Sequence, residues 1–296
     1  MTLRFGLVGT GHWATVTHGP GLAAAEGVEL VGVWGRDPAR AATLAGSLGV
    51  APYDDYDALL ADVDAVAFSV PPDVQARHAL AAARAGRHLL LDKPVALDAA
   101  AARELRDAAT AAGARSVVFF TDRFVPTSRE WFERVRGSGG WRGGWLRWYS
   151  SLQAPGNPYG GSAWRHRHGA LWDTGPHALS TLSAALGPVA SLTAVGGEAD
   201  LVTLVLHHEG GATSTVSLTQ FAPPPAAGFE CAVWGEEGVL PMPPRPKDAV
   251  LAELLARAAE ELVEAVGSGQ PHPLGLEYGT RNVELLAEAQ AQVDAR

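Results

Sequence analysis

From Leu3 to about Thr121, short apolar runs alternate with alanine-rich stretches of helical period. LRFGLVG, VELVGVWG, DAVAFSV, HLLLD and SVVFFT have the length and texture of strands buried on both faces. Such alternation predicts parallel strands joined by right-handed crossovers, a doubly wound α/β sheet. The punctuation agrees: Asp37-Pro38 and Asp98 stand where helix N-caps belong, and Gly86 and Gly113 where helices must stop before the next strand.

After Arg123 the pattern changes. A stretch rich in Trp, Arg and Gly leads to one helix expected around Ala170 to Leu186, and alternating runs such as LVTLVLHH and ATSTVSLTQF then follow one another without helices between them. Consecutive strands predict a mostly antiparallel open sheet in an α+β domain. Pro223-Pro224-Pro225 and the segment from Pro241 to Pro246 mark loops, and two helices, Asp248 to Val266 and about Leu276 to Ala295, close the sequence. With 296 residues, more than one core usually fills, two domains are expected: a dinucleotide-binding domain over 1–121 and a substrate-binding and oligomerisation domain over 122–296.

Composition narrows the class of partner. Lys and Arg number 23 against 32 Asp and Glu, a net charge of -9 with no basic run, which argues against nucleic acid. No apolar stretch is long enough for a bilayer, and the opening residues read straight into a buried strand, so no membrane association and a cytoplasmic location are expected. The lone Cys231 lies in the apolar run Glu230 to Trp234 and reads as a buried structural thiol.

Candidate chemistry begins at Gly9-Thr10-Gly11-His12-Trp13-Ala14, which follows the first strand and opens a helix in the G-x-G-x-x-A pattern of a dinucleotide site. Gly9 permits the tight turn, Gly11 lets a pyrophosphate approach the backbone, and the helix N-terminus offers free N–H groups. The second strand ends Trp34-Gly35-Arg36-Asp37, with glycine where an NAD site carries an acid. Arg36 can pair with the extra phosphate of NADP, Gly35 leaving room for it, or else stack on adenine or stay solvated. Asp37, directly before Pro38, reads as a cap rather than the missing acid. The cofactor expected is NADP or NAD, with NADP ahead.

Lys93, in Asp92-Lys93-Pro94, falls at the carboxyl edge of the parallel sheet, where a cation can stabilise a developing oxyanion. Asp173 and His177 lie four residues apart and share a face if helical, and histidine suits proton exchange with an alcohol near neutrality. Taken singly, Lys93 reads first as a surface lysine, and the pair first as a cap with a packed histidine. His166-x-His168 and His207-His208 are the sole hint of a metal, and Arg165 and Arg167 would repel a cation there, so no metal is expected.

Together, GTGHWA, Asp92-Lys93-Pro94 and the Asp173/His177 pair resemble the Gfo/Idh/MocA family, which includes glucose-fructose oxidoreductases and inositol dehydrogenases. Pro71-Pro72-Asp73, the step from Ala85 to His88 and Asp122-Arg123-Phe124 fit the same pattern. The resemblance implies hydride transfer between a nicotinamide and a hydroxyl-bearing carbon of a sugar, cyclitol or related polyol, with Lys93, Asp173 and His177 catalytic. It adds Ser69 and Pro71 to the cofactor contacts, and Arg123, Trp164 and Arg165 to Lys93 as substrate contacts. It further implies a homodimer or homotetramer formed through the open face of the second sheet. The sequence departs from the family pattern in Asp92 for glutamate, in Gln75 for a common histidine, and in a short chain, which implies trimmed loops around that sheet. A non-catalytic NAD(P)-binding regulatory protein of the same fold is the alternative.

Overall fold

A computed structural model describes residues 1–246 and 250–295, arranged as two compact units. The first comprises Met1–Phe124 with the described part of 248–283. Its strands are β1 (Leu3–Val8), β2 (Val28–Trp34), β3 (Ala51–Tyr53), β4 (Ala65–Phe68), β5 (His88–Asp92) and β6 (Ser116–Phe119). All pair in parallel, in the order 3-2-1-4-5-6. The order reverses between β1 and β4, the switch point at which such sheets bind ligands. Phe5, Leu7, Val66, Phe68, Leu89 and Leu90 are wholly buried, because helices cover both faces. The five expected strands are all present; β3 went unread because three residues carry no period.

Helices α1 (Gly19–Ala24), α2 (Pro38–Leu48), α3 (Tyr56–Asp62), α4 (Pro72–Arg84) and α5 (Ala99–Ala111) make the crossovers. Asp37 caps α2, its Oδ1 accepting from the N–H groups of Ala39 and Arg40 at 3.0 and 3.2 Å. Asp98 caps α5 through Ala101 N–H at 2.8 Å. Both are the caps read from sequence.

The second unit comprises 125–246 and the described residues from Glu284 onward. It holds α6 (Pro126–Ser138), β7 (Trp141–Tyr149), α7 (Ala163–Asp173), α8 (Gly175–Leu186), β8 (Val189–Gly196), β9 (Val202–His208), β10 (Thr213–Thr219), β11 (Gly228–Gly235) and β12 (Gly238–Pro241). The six strands run in the order 12-11-7-10-9-8, antiparallel except for the parallel pair of β7 with β10. The stretch rich in Trp, Arg and Gly, to which the sequence assigns no element, thus contains a central strand. Gly143 and Gly144 sit where a Cβ would meet the Thr213 and Ala232 carbonyl oxygens at 2.5 and 2.7 Å. Cys231 is buried on β11, outside any disulfide.

The single helix expected from Ala170 to Leu186 is two. Pro176, without an N–H, interrupts the ladder near the start of α8, whereas Gly169, with φ 64° and ψ -166°, breaks α7 just before Ala170. Thr174 between them stays in the right-handed helical region.

The closing helices are α9 (Leu251–Ser268) and α10 (Leu276–Asp294); Asp248, where the sequence reading begins the first, lies outside the described residues. The expected boundary at 121/122 counts both with the second domain, while the sequence leaves open which domain they pack against; α9 belongs to the first unit. Its buried Leu254, Leu255, Ala258, Ala259 and Leu262 complete the cover of the parallel sheet, packing on α1, β5 and β6. A Cβ on Gly21 of α1 would come within 2.6 Å of the Ala252 carbonyl oxygen. α10 contributes to both units, its residues up to Val283 to the first and the rest to the second.

Candidate functional site

In the first unit the fingerprint turn leaves the carboxyl end of β1. Gly9 has φ 128°, and a Cβ there would lie 2.2 Å from the Ser69 carbonyl oxygen, so glycine alone fits. Ladder bonds fix the turn: Gly9 N–H donates to Trp34 O at 2.9 Å and Ser69 N–H to Val8 O at 2.8 Å. A Cβ on Gly11 would meet nothing within 4 Å, which leaves open ground above the backbone. Ala14 is fully buried, His12 is exposed and Trp13 half-buried. The helix opens with a wide π-helical stretch, Ala14–His18, before tightening into α1. Ser69 Oγ is buried without a partner, and Pro71 caps α4, its carbonyl accepting from Val74 and Gln75.

At the end of β2, the ground beside Gly35 is taken by Thr10: a Cβ would lie 2.6 Å from the Thr10 methyl. Thr10, rather than an open space for phosphate, thus accounts for the glycine. Arg36 is exposed. Arg40, which the sequence reading missed, donates from Nη2 to the Thr10 carbonyl at 2.8 Å and so brings a second guanidinium to the fingerprint loop. It lies in the first turn of α2, just after the Asp37 cap. His78, packed on Trp34 at 4.8 Å and Tyr56 at 4.7 Å, is held below its ordinary pKa by burial first and then by Arg77 and Arg36.

Lys93 is half-buried just beyond β5, and its N–H donates to Asp92 Oδ1 at 2.8 Å; the Lys93–Pro94 bond is cis. Gln75, from the first turn of α4 and 1% exposed, clamps this turn. Its Nε2 donates to the Asp92 and Pro94 carbonyls at 2.8 and 3.2 Å, and its Oε1 accepts from Asp92 N–H at 2.8 Å. An amide can do both at once because it carries a donor and an acceptor. Arg123 sits 6.0 Å from the Tyr278 ring centroid, within the same unit.

In the second unit Asp173 ends α7 and His177 lies in the first turn of α8. His177 is buried against Trp148 of β7, ring centroids 5.6 Å apart. Asp173 Oδ2 receives Arg165 Nε at 2.9 Å and Gln220 Nε2 at 2.6 Å. The Arg165 guanidinium also lies 4.7 Å from the Trp164 ring and 4.4 Å from the Tyr159 ring. Trp164, Arg165 and Asp173 are thus one cluster. Gln220 went unread because a glutamine at the end of a strand carries no pattern. Among the described residues no three His, Cys, Asp or Glu side chains are grouped to hold a metal.

Residues 3–120 match the oxidoreductase family with an NAD-binding Rossmann fold (Gfo/Idh/MocA), and residues 142–240 match the Gfo/Idh/MocA C-terminal domain. The chain belongs to the Gfo/Idh/MocA family. Inositol 2-dehydrogenase of Rhizobium meliloti is 36% identical over 128 residues, 43% of this chain and 38% of that protein. D-xylose 1-dehydrogenase (NADP(+)) 2 of Haloferax volcanii is 34% identical over 136 residues, 45% of this chain and 42% of that protein. These alignments therefore span well under half of either relative. The crystal structure of an oxidoreductase domain protein from Kribbella flavida superposes with a TM-score of 0.88 at 22% identity, covering 100% of this chain and 98% of that one, a likeness of fold. No helix among the described residues is long and apolar enough to cross a membrane.

Proposed function

We propose that this Gfo/Idh/MocA chain is an NAD(P)-dependent oxidoreductase that transfers a hydride between a nicotinamide and a hydroxyl-bearing carbon of a sugar, cyclitol or related polyol. The observation that carries the reading is the cradle at the switch point. Open backbone over Gly11, a glycine-only turn at Gly9 and the unpartnered Ser69 Oγ fit a dinucleotide's pyrophosphate and ribose. The names of the inositol and D-xylose dehydrogenases support the substrate class. Gly9 to Ala14, Gly35, Arg36, Ser69 and Pro71 hold the cofactor. Arg36 and Arg40 favour NADP, because two guanidinium groups near the fingerprint suit a 2′-phosphate.

When bound, the nicotinamide accepts or returns the hydride. His177 takes the hydroxyl proton as the carbon is oxidised and returns it in the reverse direction, and Lys93 stabilises the oxygen as charge develops. Asp173, fixed by Arg165 and Gln220, orients the substrate or the His177 imidazole; Arg123, Trp164 and Arg165 bind the polyol. The chain assembles as a homodimer or homotetramer through the open face of its second sheet.

Titration with NADH and NADPH, followed by quenching of tryptophan emission, tests the reading. Saturable binding with NADPH tighter is expected, and Arg36→Ala weakens NADPH alone by about tenfold, the scale of one charge-assisted hydrogen bond. In a polyol screen, Lys93→Ala and His177→Ala lower kcat by about a hundredfold or more with dinucleotide binding intact. Failure of both dinucleotides to bind at millimolar concentration, confirmed by calorimetry, sinks the reading.

A further inference from the structure

Asp200, between β8 and β9, sits at the centre of a hydrogen-bond set confined to the second unit. Its Oδ2 accepts from Ala170 N–H at 2.9 Å, at the start of the helical run that follows the Gly169 break and carries Asp173. Its Oδ1 accepts from Thr219 Oγ1 at 2.5 Å, and the carboxylate also receives Gln220 N–H, 3.1 and 3.0 Å from its two oxygens. Gln220 in turn donates from Nε2 to Asp173 Oδ2 at 2.6 Å. One carboxylate thus holds two separate supports of Asp173, the helix start and the partner side chain.

Three features separate this set from ordinary packing. Gly169, with φ 64°, is also where a Cβ would lie 3.0 Å from Asp200 Cβ, so the break and the contact require each other. Ala199, next to Asp200, has φ 55°, a conformation unfavourable for a residue with a Cβ and held here by its surroundings. Gln220 is 1% exposed, and its Oε1 is buried with no partner. A carboxylate only accepts, so the amide must face Asp173 through Nε2, and the orphaned oxygen follows from that orientation. Leucine would fill the slot without an unsatisfied atom, which makes the amide costly to fold and useful only for what it donates to.

We propose that Asp200 and Gln220 are positioning residues for Asp173: the Asp200 carboxylate anchors the Gln220 backbone and the first turn from Ala170, and the Gln220 amide carries that anchor to the Asp173 carboxylate. The proposal rests on the assignment of Asp173 to the chemistry. The relevant variants are Gln220→Leu, which keeps volume and removes the donor, Asp200→Ala, and Asp200→Asn, which keeps one acceptor for the Gln220 N–H.

In Gln220→Leu, kcat/KM for the polyol found by screening falls about tenfold or more with an altered pH profile, as displaced reacting groups demand. NADPH affinity is unchanged, Tm is equal or higher, and the Asp173 13Cγ resonance is displaced from its wild-type position. Asp200→Ala loses kcat together with Tm, and Asp200→Asn recovers part of the kcat. Wild-type kcat/KM, pH profile and Asp173 resonance in Gln220→Leu would overturn the proposal, as would wild-type kcat in Asp200→Ala. If the wild type turns over no polyol, the oxidoreductase reading falls separately; the Asp173 resonance then decides, displacement in Gln220→Leu or Asp200→Asn supporting the link and an unmoved signal overturning it.

Discussion

His18 is wholly buried in the π-helical stretch behind the fingerprint, with the Trp13 and Phe119 rings at 6.4 and 6.2 Å. Burial strips water from its charged form and pushes its pKa from 6.5 down to about 3, against a weaker pull from the Trp13 backbone. A base whose folded pKa lies below its unfolded value leaves the unfolded chain binding more protons, so stability falls as pH drops below 6.5, down to about 3. By pH 4.5 this one group costs about 3 kcal/mol. Urea denaturation at pH 7.5 and 4.5 checks it: the wild type should lose that much more stability than His18→Leu over the interval, and equal losses would refute the assignment. Nothing in the sequence announced this. A histidine on a helix face looks the same whether it meets solvent or Phe119.

At the scale of elements, the coupling of α4 to the exit of β5 depends on Gln75. The sequence reading noted this residue only as a departure from the family's histidine, yet it satisfies both polar groups of Asp92 and the Pro94 carbonyl. Gln75→Leu leaves buried backbone groups without partners and destabilises by about 2 kcal/mol. The turn carrying Lys93 loosens with it, so kcat should fall while NADPH affinity holds. Thermal unfolding alongside steady-state kinetics reads both; unchanged Tm and kcat would show that the clamp is dispensable. The Gly169 break within α7 is of the same kind: the helical run after it starts at Ala170, whose N–H is held by Asp200, thirty residues further on.

For the whole molecule, the second sheet covers one face with helices and leaves the other open. Cross-strand register places Trp145, Trp234 and Val239 on that open face on three neighbouring strands, with Val195 on the same face at the opposite edge, all exposed. Apolar groups clustered on a sheet face mark an association surface. Light scattering of the wild type should give a dimer or tetramer, and Trp234→Asp combined with Val239→Asp should shift it towards monomer through buried charge. A monomeric wild type would remove this assembly.

By itself the sequence determined what repeats or what local geometry enforces. Runs such as HLLLD and LVTLVLHH show strand texture in any context, Asp37 and Asp98 cap their own helices, and the G-x-G-x-x-A spacing from Gly9 to Ala14 marks its turn between a strand and a helix. Tertiary structure decided what depends on distant partners: the glycine-rich strand β7, legible only beside β10 and β11; the return of α9 to the first unit, set by which sheet face lacked cover; and the link from Asp200 through Gln220 to Asp173. The reason is physical. Period and capping are properties of neighbouring residues, whereas burial, register and the satisfaction of a buried amide belong to pairs that the chain brings together only when folded.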